Sequence, residues 1–149
     1  MRQRLKDIIY AFSASDDEMR LELLLDYARR LPPLPARLQK ERDAGLNSVP
    51  ECQTPVFMWL ESEDGCVRIH VDVAEEAPTV RGLLSILIHA YEEASAAELA
   101  AIPQDLLHRL GLTRQIRMQR AVGFAGIIGR LKRQAAAIVA DEAVAPQES

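Results

Sequence analysis

A thiol between two prolines is the first group in this chain able to do covalent chemistry. In Asn47-Ser48-Val49-Pro50-Glu51-Cys52-Gln53-Thr54-Pro55-Val56 the prolines at 50 and 55 lack an N–H and bias the residues before them toward extended backbone. Neither a helix nor a regular sheet ladder therefore runs through Cys52, and the sulfur is placed in a turn. Val56 to Leu60 is β-branched and aromatic, the composition of a strand, and a loop held on a rigid strand is a common seat for reactive groups. The remaining candidates are weaker. Cys66 begins a second strand pattern with no resolving-cysteine motif linking it to Cys52, although two thiols leave open a redox enzyme or sensor that uses both. A zinc site from Cys52, Cys66, His70 and His89 would need a spacing unlike the tight pairs of structural zinc, with His89 on a separate helix. His70, His89 and His108 read as surface or boundary residues. No phosphate loop, Ser-His-acid order or pair of catalytic carboxylates is present in the sequence, which disfavours a self-sufficient enzyme.

The elements that must position Cys52 follow from periodicity. Leu5, Ile8, Ile9 and Phe12 share one helical face and predict a first helix over about Arg2 to Phe12. Ser15 with Glu18 forms a capping-box pattern for a second helix, with an apolar stripe of Leu21, Leu24, Leu25, Ala28 and Leu31, which Pro32-Pro33 ends. Leu34 to Asp43 is a connector with room for a short helix. Strand Val56–Glu61, turn Ser62-Glu63-Asp64-Gly65 and strand Cys66–Val73 predict an antiparallel hairpin, with Val67, Ile69, Val71 and Val73 on the core side. From Thr79 to Tyr91 the period changes to 3.6 and predicts a central helix laid across the hairpin. Ser95 with Glu98 repeats the capping box; Pro103 at a first turn and Gly111 at an end bracket another short helix. The last helix is expected from about Arg120 to Val139, its buried face Phe124, Ile127, Ile128, Leu131, Ala135 and Ile138. Gly123, Gly126 and Gly129 line an adjacent edge; each costs roughly 1 kcal/mol against alanine, which points to a close backbone contact there. The expected architecture is one α+β domain over 1–139, helices on one face of a small antiparallel sheet at about 56–73, followed by a flexible tail over 140–149.

Composition narrows the function classes. The chain has 149 residues, 48% hydrophobic and 27% charged, enough for one core without disulfides, and no apolar run reaches the ~20 residues of a membrane span. The basic N-terminus lacks the apolar centre and cleavage site of a secretory signal, and two cysteines are too few for a disulfide framework, so a reduced, cytoplasmic setting is expected. The net charge of −4 conceals a segregation: Glu61 to Asp105 carries ten acids against Arg68 and Arg81, while Leu106 to Ala140 carries seven bases and no acid. Such a surface steers a protein partner, or is simply a set of solvated helix faces. Nucleic acid is not expected, since the basic segment has only Phe124 as an aromatic and no binding motif.

Taken together, Asn47-Ser48-Val49, Cys52-Gln53-Thr54, Val56-Phe57, Ala77-Pro78-Thr79-Val80-Arg81-Gly82-Leu83, and Arg120 with Gly123 three residues on resemble the SufE family in order and spacing. The similarity runs from about Leu5 to Ala136 and includes Arg30-Leu31-Pro32. The resemblance implies a cysteine desulfuration protein, a persulfide carrier of iron–sulfur cluster assembly with no cofactor or metal of its own. It would take sulfane sulfur from a PLP-dependent cysteine desulfurase of the SufS or CsdA kind onto Cys52 and pass it to an Fe–S scaffold complex, stimulating the desulfurase rather than acting alone. Glu51, Gln53 and Arg120 are the implied neighbours of the thiol. Arg120 matches the family's arginine ahead of the last helix, where it would pin the loop through carbonyls, pair with Glu51 or meet the partner. Two departures stand out: Glu51 where glycine is common before the cysteine, and Ala74-Glu75-Glu76 where acid-Ser-acid is usual. A carboxylate beside the sulfur disfavours thiolate, so Cys52 is expected to rest protonated until a partner docks.

Overall fold

A computed structural model describes residues 1–144. In chain order it contains α1 (Gln3–Ser13), α2 (Asp17–Arg29), α3 (Ala36–Asp43), β1 (Val56–Glu63), β2 (Cys66–Val73), α4 (Pro78–Ala90), α5 (Ala96–Ala100), α6 (Leu106–Arg109) and α7 (Met118–Val144). This is the expected α+β domain. β1 and β2 pair antiparallel from Val56↔Val73 to Glu63↔Cys66. The turn is shorter than expected, just Asp64 and Gly65, both with positive φ (52° and 80°); two left-handed residues match the right-handed strand twist, so the ladder extends to the tip.

α4 is the axis of the core. Val80, Leu83, Leu84, Ile86, Leu87 and Ala90 are all buried, as befits a helix with neighbours on most sides. It crosses α2 so closely that a methyl group at Gly82 would stand 2.5 Å from the Leu24 carbonyl oxygen. That crossing rotates α2 relative to the expected stripe. Leu24 and Ala28 are buried, Leu23 and Tyr27 pack partly against the core, and Leu21 is 42% exposed. The cap of α2 also differs. Asp16, not Ser15, accepts the Met19 N–H at 2.8 Å, while the Ser15 hydroxyl donates back to the Ala11 carbonyl. Ser95 and Glu98 do form the expected capping box on α5. Pro103 lies ahead of α6 with its carbonyl accepting from Leu106 N–H, and is not in the helix's first turn.

Both faces of the hairpin are covered, where helices on one face were expected. Val56 and Met58 with Val67, Val71 and Val73 join the main core, but Trp59 packs on the other side with Leu34 and Leu38, and Phe57 stacks on it at 6.4 Å. Alternation explains this. The outward positions of β1 are aromatic, and burying such a side chain is worth ~2 kcal/mol, enough to draw α3 over that face. At the C-terminal end α7 begins at Met118 and continues to Val144, so its helical backbone enters the segment expected as a tail; residues 145–149 lie outside the described part. No helix among the described residues is long and apolar enough to cross a membrane.

Candidate functional site

The Cys52 loop is closed at its base by β1 itself. Val49 N–H donates to the Val56 carbonyl at 2.8 Å, Met58 N–H to the Asn47 carbonyl at 3.0 Å, and the Asn47 side chain to the Met58 carbonyl at 3.1 Å. Buried Val49 anchors the near end in the core. The prolines fall on the excursion between these ties, and Cys52 N–H makes only a long 3.4 Å bond back to Val49. The loop therefore has a rigid base and a crown whose position depends on what it rests upon.

It rests on the glycine edge of α7. A methyl group at Gly123 would come within 3.2 Å of Cys52 Sγ and 3.3 Å of the Glu51 carbonyl oxygen, and one at Gly126 within 2.7 Å of Glu51 Cβ. The close contact expected of these glycines is thus the seat of the thiol loop. Gly129 is different: only the end of the Arg133 side chain lies near it. Cys52 is half-buried there, beside a cavity of about 150 Å³. Val80, Leu83, Phe124 and Ile127 supply its apolar wall, Gln53 and Thr54 its loop side, and Arg117 and Arg120 its charges.

Cys52, Gln53 and Arg120 accordingly share one cleft, while Glu51 turns away from it. Its carboxylate meets Arg130 Nε at 3.2 and 3.3 Å. The pairing of Glu51 with Arg120 considered from the sequence is therefore replaced by Arg130, and among the described residues Arg120 makes no hydrogen bond to the loop. Arg120 also lies within the first turn of α7 and not ahead of it. Arg130 was legible in principle, because it follows Gly126 by four residues and shares that helix edge. Arg117 follows from the same basic segment but has no local signal of its own.

The thiol pKa is raised, first by burial and second by the neighbouring Glu51 charge. Expecting Glu51 to be the main cause thus had the direction right and the order wrong. Glu51 itself is held below the ordinary carboxylate range: burial opposes its charge, but its own backbone N–H and then Arg130, with Arg133 behind, outweigh that. Cys66 occupies a separate site. It pairs with Glu63 at the hairpin tip, and its Sγ donates to the Glu93 carbonyl at 3.4 Å. Val73, at the Cys52 end of the hairpin, is seven strand residues from Cys66, on the order of 20 Å. Disulfide geometry needs Cα atoms within ~7 Å, and both cysteines are free.

The chain is similar to known proteins over most of its length. The SufE family profile, described as an Fe-S metabolism associated domain, matches residues 6–135. An uncharacterized SufE-like protein of Mycobacterium tuberculosis (strain H37Rv) is 36% identical over 131 residues, covering 87% of this chain and 90% of the relative. The sulfur acceptor protein CsdE of Escherichia coli K12 is 33% identical over 110 residues, 72% of this chain and 69% of that protein. The solution structure of a hypothetical protein from Thermus thermophilus superposes with a TM-score of 0.81 at 29% identity, covering 94% of this chain and 98% of that one.

Proposed function

The chain belongs to the SufE family, and on that basis we propose that it is a sulfur acceptor of Fe–S metabolism that carries a persulfide on Cys52. The observation that carries this reading is the setting of the thiol: half-buried on a loop, at the edge of a cleft whose charged lining is Arg117 and Arg120. A PLP-dependent cysteine desulfurase is the donor and an Fe–S scaffold the recipient. Cys52 loses its proton to solvent or to the leaving donor thiolate, and its sulfur attacks the outer sulfur of the donor persulfide. The donor S–S bond breaks, the donor cysteine leaves with the electron pair, and a new S–S bond forms on Cys52. No oxidant or reductant is needed, and repetition of the exchange by a scaffold thiolate unloads the carrier.

Each neighbour has a part in this scheme. Arg117 and Arg120 favour the anionic thiolate and persulfide by charge, and the exposed Gln53 amide offers donors to the incoming sulfur. Burial and Glu51 keep the resting thiol protonated, which protects it from oxidation in the absence of a partner. Such chemistry needs a reducing compartment, so the cytoplasm is the proposed location. The test is intact mass after incubation with a cysteine desulfurase and free cysteine. One added sulfur, ~32 Da, is expected on Cys52, the product of that exchange; no mass gain, or a gain on Cys66 instead, would overturn the carrier.

A further inference from the structure

Arg130 has no place in the sulfur exchange: it lies outside the lining of the Cys52 cleft, on the outer side of Glu51. Yet it makes the polar connection between the loop crown and α7. Among the described residues, the side chains of residues 50–55 form no other hydrogen bond or ion pair with that helix. The two side chains are 28% and 26% exposed, so solvent and salt screen them less than an open surface pair. The remainder of the seat is van der Waals contact on Gly123 and Gly126, which fits shape but resists lifting weakly.

We propose that the Glu51–Arg130 ion pair is a tether holding the crown of the loop on α7, and that Arg130 acts through Glu51 as a positioning residue setting how far Cys52 Sγ is presented to a partner thiol. For sulfur transfer this rests on Cys52 being the acceptor; for access to the thiol it stands alone. With the pair intact, Sγ lies against Gly123 and the cleft wall. With it broken, the crown keeps its base at Val49 and Val56 but loses its polar hold, so the sulfur can swing toward solvent.

Removing Arg130 has two effects of opposite sign. The uncompensated Glu51 carboxylate would hold the Cys52 proton more firmly and slow its alkylation near neutral pH, whereas a released crown would expose the sulfur and speed it. The charged groups around the crown are Glu51, whose charge reaches the thiol, Arg130 and Arg133 against the Glu51 carboxylate, and Arg117 and Arg120 in the lining of the Cys52 cleft. A pH profile separates the two effects. Once the thiol is fully ionised, protonation no longer limits the rate, and arginine keeps its charge throughout that range. The plateau then reports access together with a nucleophilicity that rises with pKa, so Glu51→Gln, which lowers the pKa, is the arm in which a rise comes from access alone.

The experiment measures iodoacetamide alkylation of Cys52 against pH in the full chain, with Cys66→Ser so that one thiol reports. Arg130→Gln and Glu51→Gln are each expected to raise the high-pH plateau severalfold, the double variant no further than either single, and Arg130→Lys to restore most of the parent value. Gly126→Ala supplies an independent wedge: its methyl displaces Glu51 Cβ while leaving both charges, and the plateau should rise likewise. A plateau unchanged in Arg130→Gln, or additive increases in the double variant, would overturn the tether. No desulfurase enters this measurement, so a chain that fails to load sulfur but shows these plateaus loses the carrier reading and keeps the tether.

Discussion

The two cysteines sit in differently lined clefts at opposite ends of the hairpin. Cys52 is on a loop resting on a helix, beside a cavity of about 150 Å³ whose charges are Arg117 and Arg120. Cys66 is in a strand, its Sγ donating to a backbone carbonyl, in a wider cleft of about 560 Å³ where Glu63, Asp64, Glu92 and Glu93 outnumber the single fixed cation Arg68. A transferable sulfur must pass through an anionic thiolate or persulfide. Cations stabilise that anion and carboxylates oppose it. On the carrier reading proposed above, the fold would specialise one of two chemically identical side chains by what it places around each.

The contrast is tested most sharply at the sulfurs themselves. Cys52→Ser should fold normally and lose sulfur loading completely, whereas Cys66→Ser should keep it; intact mass after desulfurase treatment reads both. Loading that survives Cys52→Ser and vanishes with Cys66→Ser would reverse the assignment. The next effect belongs to the cations. Arg120→Ala removes a charge-assisted interaction worth ~1.5–3 kcal/mol, so transfer should slow roughly tenfold or more with the melting temperature unchanged. A lowered melting temperature with normal transfer would make Arg120 a packing residue.

The glycine edge offers a smaller, signed contrast in stability. Gly129→Ala meets only the flexible end of Arg133 and should stabilise the fold by about 0.5–1 kcal/mol through helix propensity. Gly126→Ala gains the same propensity but presses on Glu51, so denaturant unfolding should show that gain cancelled or reversed. Equal gains at both positions would mean that the loop is not seated on α7.

The smallest effect is in pH. Because folding raises the Cys52 pKa, the folded chain holds that proton more tightly, and the resulting stability is present below the unfolded thiol's pKa and lost as pH rises through the folded value. Stability of the parent relative to Cys52→Ser should therefore decline between about pH 8 and pH 10, as read by urea unfolding. A relative gain across that window would contradict a protonated resting thiol.

Periodicity was sufficient for most elements because one apolar face per element suffices to declare it. β2 begins and ends where alternation placed it, and α4 and the buried face of α7 follow the 3.6-residue stripe. The failures come where a choice between neighbours depends on a third element. Ser15 and Asp16 could each cap α2, and the end of α1 took the serine hydroxyl. Leu21 and Leu23 compete for one face, and the close crossing at Gly82 turns Leu21 outward. Phe57 and Trp59 sit on the nominally wet face of an alternating strand, and the length of the connector allows α3 to cover them.

The α+β class, a proline-bounded thiol loop and a glycine-marked helix edge with an unexplained cost could all be read from the amino-acid order, because they depend on local backbone chemistry and repeating side-chain periods. What that edge is for emerged with the packing of the whole chain. Setting α7 against β1 brings Gly123 and Gly126 under Cys52 and Glu51, and it selects Arg130, 79 residues away in the chain, as the partner of Glu51. Sequence spacing puts Arg130 on the Gly126 edge of the helix but does not say which edge of the helix will face a given carboxylate. That depends on the rotation of the helix about its axis, which is set by the whole core packed against its other side.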